Sequence, residues 1–149
     1  MNELVKVKFE LEPENTLNSS TETLWAMPLG NNLYRLQNSP FGAYGYSYED
    51  VVIAEGTGIP TVVGLYENSG RSTYRALLGV GVLEAKEFKK VWGKLESIGC
   101  TYEGLESNLL SIDVPPDADI FEAYSYLEAG EKAGLWDFEE AKCAHNTEA

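Results

Sequence analysis

The sequence predicts an α+β protein: a β-rich N-terminal half, built as a small bent sheet or partial barrel, packed with a C-terminal ferredoxin-like βαββα unit. Three observations carry that expectation. Apolar residues alternate with polar ones through most of the first half, the period of half-buried strands. Short runs of Gly, Asn, Pro and Ser punctuate that half at strand-length intervals. Beyond residue 85 the apolar spacing changes to that of helix faces. The whole, residues 1–149, reads as a single domain with sub-lobes at 4–70 and 71–144.

The first element is Val5, Val7, Phe9 and Leu11 alternating with Lys6, Lys8 and Glu10. Polar residues Pro13–Ser20 follow as a loop. Thr21–Leu29 makes a second strand, and Gly30-Asn31-Asn32 is turn chemistry, since Gly and Asn tolerate positive φ. Leu33, Tyr34 and Leu36 return, closing a hairpin over Thr21–Gln37. After the aromatic stretch Phe41–Tyr48, Asp50–Glu55 and Thr61–Glu67 read as strands separated by Gly56–Pro60. The turn Asn68-Ser69-Gly70-Arg71 then leads into a strand at Ser72–Leu78.

Phe88, Val91, Trp92, Leu95 and Ile98 share one helical face, with Gly99 at the capping position. Thr101–Glu106 and Leu109–Val114 read as strands around Ser107-Asn108, and Pro115-Pro116 stops the second. Asp119 and Glu122 have the spacing of a capping box for a helix burying Ile120, Phe121, Tyr124 and Leu127. Gly130 and Gly134 loosen its end. Asp137 and Glu140 then cap a last short helix through Cys143. A right-handed crossover makes Ser72–Leu78 and Thr101–Glu106 parallel.

These pieces, in this order, resemble a bacterial family known only as a domain of unknown function. The resemblance rests on Leu24-Trp25-Ala26, Tyr34-Arg35-Leu36, Asn38-Ser39-Pro40-Phe41, Asp50-Val51-Val52, Ser69-Gly70-Arg71-Ser72-Thr73-Tyr74-Arg75 and Pro115-Pro116-Asp117-Ala118-Asp119. The closing Gly134–Glu140 run belongs to it as well. The family pattern runs from about Val5 to Glu140, and Phe41-Gly42-Ala43-Tyr44 departs from its bulkier opening. It implies a fold and brings no assigned reaction.

Composition narrows the function. At 44% hydrophobic and 11% aromatic the chain is too apolar to be disordered, and its 149 residues suffice for a core. A net charge of −13 opposes binding to nucleic acid, which needs clustered Lys and Arg. The N-terminus MNELVKVKFELE has no basic region followed by an apolar run, and no stretch has 18 consecutive apolar residues. The expectation is a cytoplasmic chain with no membrane partner, in which Cys100 and Cys143 stay free thiols. His145, the single histidine, reads as a frayed surface residue, leaving little material for zinc or a Ser-His-Asp triad.

No cofactor is expected. Gly79-Val80-Gly81 has Glu84 where a dinucleotide fingerprint needs its third Gly. Asp113, Asp117 and Asp119 are broken by Pro115-Pro116 and lack the order of a calcium loop. Arg71 and Arg75 beside Ser69-Gly70 admit an anion site, against a plainer reading as a self-satisfied turn with an Arg paired to a carboxylate.

Charge placement is the informative feature. Residues 101–149 hold 12 Asp or Glu and 2 Lys, which is −10 of the total −13. The leading expectation is a non-enzymatic immunity protein that covers the basic active-site cleft of a cognate toxin. Its contacts are Glu128, Glu131, Asp137, Glu139 and Glu140, with Trp136, Tyr124, Tyr126 or Phe138 as anchors. A second reading is a small-molecule or peptide-binding regulatory domain using the crevice between the halves, lined by Ser69–Arg75. A third is a carboxylate-dependent enzyme.

Overall fold

The computed structural model describes residues 3–105 and 108–147. Five strands form a closed barrel: β1 (Val5–Glu10), β2 (Thr21–Gly30), β3 (Leu33–Leu36), β4 (Val51–Glu55) and β5 (Thr61–Glu67). Successive strands pair antiparallel, and a parallel pairing of Lys8 with Thr61 joins β1 to β5. The alternation of β1 sends Val7 and Phe9 inward onto Leu24, Ala26, Leu36, Val52 and Ala54. Asn31 and Asn32 take φ of 56° and 63° between β2 and β3, the two-residue turn whose twist suits a hairpin.

The second unit runs β6 (Ser72–Leu78), α1 (Lys86–Ser97), β7 (Thr101–Gly104), β8 (Leu109–Val114), α2 (Ile120–Lys132) and β9 (Trp136–Lys142). Its sheet order is β7-β8-β6-β9, with every neighbouring pair antiparallel. Because β6 and β7 are both antiparallel to β8 between them, they run parallel to each other. Phe88, Val91 and Leu95 of α1 and Ile120, Ala123 and Leu127 of α2 pack on Tyr74, Ala76, Leu110 and Ile112. Gly79-Val80-Gly81 leads into a short 3-10 turn at Val82–Glu84. Gly99 ends α1 at φ +99°, where its N–H reaches Glu96 O and the next N–H, from Cys100, reaches Leu95 O.

Residues 136–142 correct the expected last helix. Glu, Ala and Lys favour helix, but this segment pairs along β6 from Leu78 opposite Trp136 to Thr73 opposite Lys142. That ladder satisfies its backbone while Trp136 and Phe138 turn toward the helices. The unit is therefore βαββαβ, one strand beyond the expected βαββα. Gly130 does not loosen α2 but makes room for Trp136: a Cβ there would lie 2.3 Å from Trp136 Cζ2. The Trp136 indole N–H donates to Leu127 O at 2.9 Å. Of the expected capping box, Asp119 accepts from the N–H groups of Phe121 and Glu122. Glu122 instead accepts from the Tyr126 hydroxyl. The strand expected over Thr101–Glu106 ends at Gly104, and Glu106 and Ser107 lie outside the described residues.

Candidate functional site

The sheet face turned away from the helices is polar and buried. Thr73, Arg75, Ser111 and Asp113 lie on it, each no more than 4% exposed, against segment 38–50 of the barrel unit. Burying such groups costs free energy unless every one finds a partner, and most do. The Arg75 guanidinium donates to the carbonyls of Pro40, Gly42 and Ala43, to Thr16 Oγ1 and to Glu139 Oε1. Its plane also lies over the Tyr44 ring, 4.6 Å from the centroid. The amides of that loop are held from the other side: Glu22 accepts from the N–H groups of Phe41, Gly42 and Ala43. Asp50, fully buried, accepts from Ser47 N, Ser69 N and Lys142 Nζ. Ser39 and Ser111 hydroxyls lie 2.6 Å apart, and those of Ser47 and Thr73 2.5 Å apart.

Asp113 is the exception. Its Oδ2 accepts from Arg71 Nη1 at 2.5 Å, but its Oδ1 has no hydrogen-bond partner among the described residues. Burial pushes this carboxyl above the usual range; Arg71 opposes the rise, and Glu49 and Glu103 add to it. Arg71 also pairs with Glu49 at 3.0 Å. Ser69 Oγ and Asn68 Oδ1 accept from their own turn's amides. The Ser69–Arg75 segment thus follows the plainer reading, because both its guanidinium groups are committed to acceptors of this chain.

The expected contact residues divide over two faces. Asp137 and Glu139 lie on the barrel side of β9, where Glu139 accepts from Thr16, Arg75 and the Tyr44 hydroxyl and so belongs to the seam. Glu140, one position further along the alternation and just before a bulge in the β6–β9 pairing, lies on the helix side. There it meets Glu128 in a cleft of about 380 Å³ walled by Tyr74, Ile120, Phe121 and Tyr124. Phe121 and Tyr124 are 59% and 41% exposed. The Tyr74 hydroxyl donates to Glu140 Oε1 at 3.0 Å; burial and that carboxylate push its pKa far up, keeping it a donor. Glu131 is exposed on α2 outside this cleft. Among the described residues, no Lys or Arg forms an ion pair with Glu128, Glu131, Asp137 or Glu140.

Of the four expected anchors only Tyr124 is exposed. Trp136 is core, Phe138 packs on Tyr74 and Tyr124, and Tyr126 stays half-buried with Lys94 over its ring. Phe121 and Tyr124, both read from periodicity as part of the buried stripe, are exposed, Phe121 the more so. Its place beside the helix cap, one position off the face that Ile120, Ala123 and Leu127 bury, is the signal that marks it.

A larger cleft, about 490 Å³, runs along β2 beside Trp25, Phe41 and Leu105. Its carboxylates are already used: Glu22 as above, and Glu103 by Asn38 Nδ2 and Ser39 N. His145 is pinned rather than frayed. Its Nδ1 is 2.6 Å from Ser72 Oγ and its Nε2 2.8 Å from Pro115 O. Pro115 O can only accept, so Nε2 carries a hydrogen. Ser72 Oγ also accepts from Ala144 N at 2.9 Å and is fully buried. This Ser–His pair is a latch for the C-terminal segment, with no path for a substrate to the hydroxyl.

Among the described residues no three His, Cys, Asp or Glu side chains cluster to hold a metal ion, and no helix is long and apolar enough to cross a membrane. Asp113 and Asp119 serve a seam and a helix cap instead of converging. Cys100 and Cys143 are free; burial, with Asp113 adding, pushes the Cys100 thiol up to about 12, which keeps it unreactive.

These features define a mixed α+β protein in which a closed barrel and a sheet-and-helix unit share a buried polar seam. The chain belongs to the family described as Domain of unknown function (DUF4265), which it matches over residues 22–138. No curated protein matches it. A solved structure, described as "Novel crystal structure of a hypothetical protein from Neisseria gonorrhoeae", is similar with a TM-score of 0.77 and 19% identity. The match covers 96% of this chain and 98% of that one, and it shows the fold alone.

Proposed function

We propose that the chain is a non-enzymatic binding protein that docks a basic partner on its α2–β9 cleft, most concretely an immunity protein covering the cationic active-site cleft of a cognate bacterial toxin. The observation that carries this reading is the cleft itself. Exposed Phe121 and Tyr124 stand beside Glu128 and Glu140, and no cation of the described chain neutralises either acid. A Lys or Arg from a partner gains both a carboxylate and an aromatic face there. Glu131 and Asp137 form the outer field that steers encounter, while Glu139 acts by holding β9 to the barrel unit.

The charge is uneven on the helix layer. Helix α1 carries Lys86, Lys89, Lys90 and Lys94 against Glu87 and Glu96, whereas α2 carries Glu122, Glu128 and Glu131 against Lys132. The acidic surplus therefore orients a basic partner toward α2. We further read the second unit as ferredoxin-like, a reading supported by its βαββαβ order and the β7-β8-β6-β9 arrangement. We take 4–70 and 71–144 as sub-lobes of one domain, in keeping with the seam they share. The free thiols favour a cytoplasmic setting.

The test is co-purification with, and inhibition of, a toxin encoded beside the gene. The full chain is expected to block that toxin, and Glu128→Gln/Glu140→Gln to weaken the block in a salt-sensitive way. Equal inhibition by the variant would remove the cleft from the interface, and absence of any basic partner would remove the function.

A further inference from the structure

A third cleft, about 320 Å³, opens in the seam between the two units. Its floor is the polar face of β7 and β8, with Thr101, Glu103 and Asp113, and its wall is Gln37, Ser39 and Tyr48 from the barrel unit. We propose that this cleft binds a small organic cation bearing N–H donors, an alkylamine or a guanidino compound, with the Asp113 carboxylate as its principal acceptor. The site is separate from the α2–β9 cleft and does not depend on the docking reading.

Three observations converge on that chemistry. Asp113 is 4% exposed, and its Oδ1 is the one buried side-chain polar atom without a partner among the described residues. Native interiors rarely leave such an acceptor empty unless something outside the chain uses it. The chain's own cation cannot supply the missing donor: Arg71 has Nη1 on Asp113 Oδ2 and Nη2 on Glu49 Oε1, with its guanidinium stacked on Tyr48 at 5.1 Å. Around the cleft, Asp113, Glu103 and Glu49 face a single guanidinium, so the local balance is negative and an anion is repelled. The volume lies at the small end of ligand sites, which fits an amine rather than a nucleotide. The Thr101 hydroxyl, paired across the β7–β8 ladder from Asp113, supplies a further acceptor for a multivalent N–H head.

The experiment is a titration of the full chain, labelled with carboxyl-13C aspartate and 15N, using agmatine and butane-1,4-diamine. Tetramethylammonium serves as the cation without N–H groups, and sodium chloride matches ionic strength. Agmatine or the diamine should move the Asp113 carboxyl resonance and lower its titration midpoint, because a bound cation favours the ionised form. The amides of Thr101 and Ser111 should follow, and binding in Asp113→Asn should weaken by at least about tenfold. Should that variant fold poorly, the wild-type carboxyl titration decides alone. An Asp113 resonance unmoved by both amines, or moved equally by tetramethylammonium, overturns the proposal.

Discussion

Replacing Arg75 with Met removes the cation that closes the seam while keeping an unbranched side chain in its place. The guanidinium is 1% exposed and donates to three carbonyls in segment 40–43, to Thr16 and to Glu139. A buried acceptor stripped of its donor costs about 1–3 kcal/mol. Glu139, with a side chain 37% exposed, recovers water and contributes little to that loss. The Pro40 carbonyl keeps Ser111 Oγ at 2.6 Å. Two carbonyls thus bear most of the penalty, together with the Tyr44 stacking, giving about 3–5 kcal/mol in all. For a chain of this size that lowers Tm by about 10 °C or more. Urea unfolding followed by far-UV circular dichroism and by tryptophan fluorescence measures it. A loss below about 1 kcal/mol refutes the reasoning, since it means the 40–43 carbonyls are served without Arg75.

Other outcomes follow from the same contacts. Gly130→Ala should destabilise by about 1–3 kcal/mol despite the better helix propensity of Ala, because its Cβ collides with the Trp136 ring; a more stable variant in urea would contradict the packing of α2 on β9. Asp113 carries a folded-state pKa above its unfolded value, so the folded protein holds that proton longer. Its contribution to stability is full below the unfolded pKa of about 3.9 and declines as pH rises through the raised one. Wild type should therefore lose stability relative to Asp113→Asn across that window, and a pH-independent difference in paired urea titrations would oppose it. Ser72→Ala should release the segment around His145, read as faster hydrogen exchange at Ala144 and His145 with the rest of the sheet protected.

The legible parts of the fold were those fixed by local chemistry. Val7 and Phe9 alternate into the barrel, Asn31-Asn32 makes its turn, Gly99 ends α1 and Asp119 caps α2, each from residues within a few positions. A helix is expected where β9 stands because Glu139, Glu140, Ala141 and Lys142 favour helix and Asp137 can cap it, while the ladder that overrides them lies some sixty residues away on β6. The alternation of Trp136 and Phe138 was the signal present in the sequence. The seam was illegible for a similar reason: Thr16–Glu139, Asp50–Lys142 and Arg71–Asp113 are pairs that only the folded topology brings together. Charge counting located the acidic surplus but not its geometry. It grouped Glu139 with Glu128 and Glu140, whereas strand alternation sends Glu139 inward and Glu140 to the cleft.

Chemical-shift mapping of the 15N-labelled full chain with a lysine-rich peptide at low salt addresses the docking surface most directly. Perturbations are expected to concentrate on Ile120–Glu128 and Phe138–Glu140, to fade as salt is raised and to disappear in Glu128→Gln/Glu140→Gln. Shifts spread evenly over the acidic residues of the barrel and the helices, or unchanged in the double variant, would contradict it.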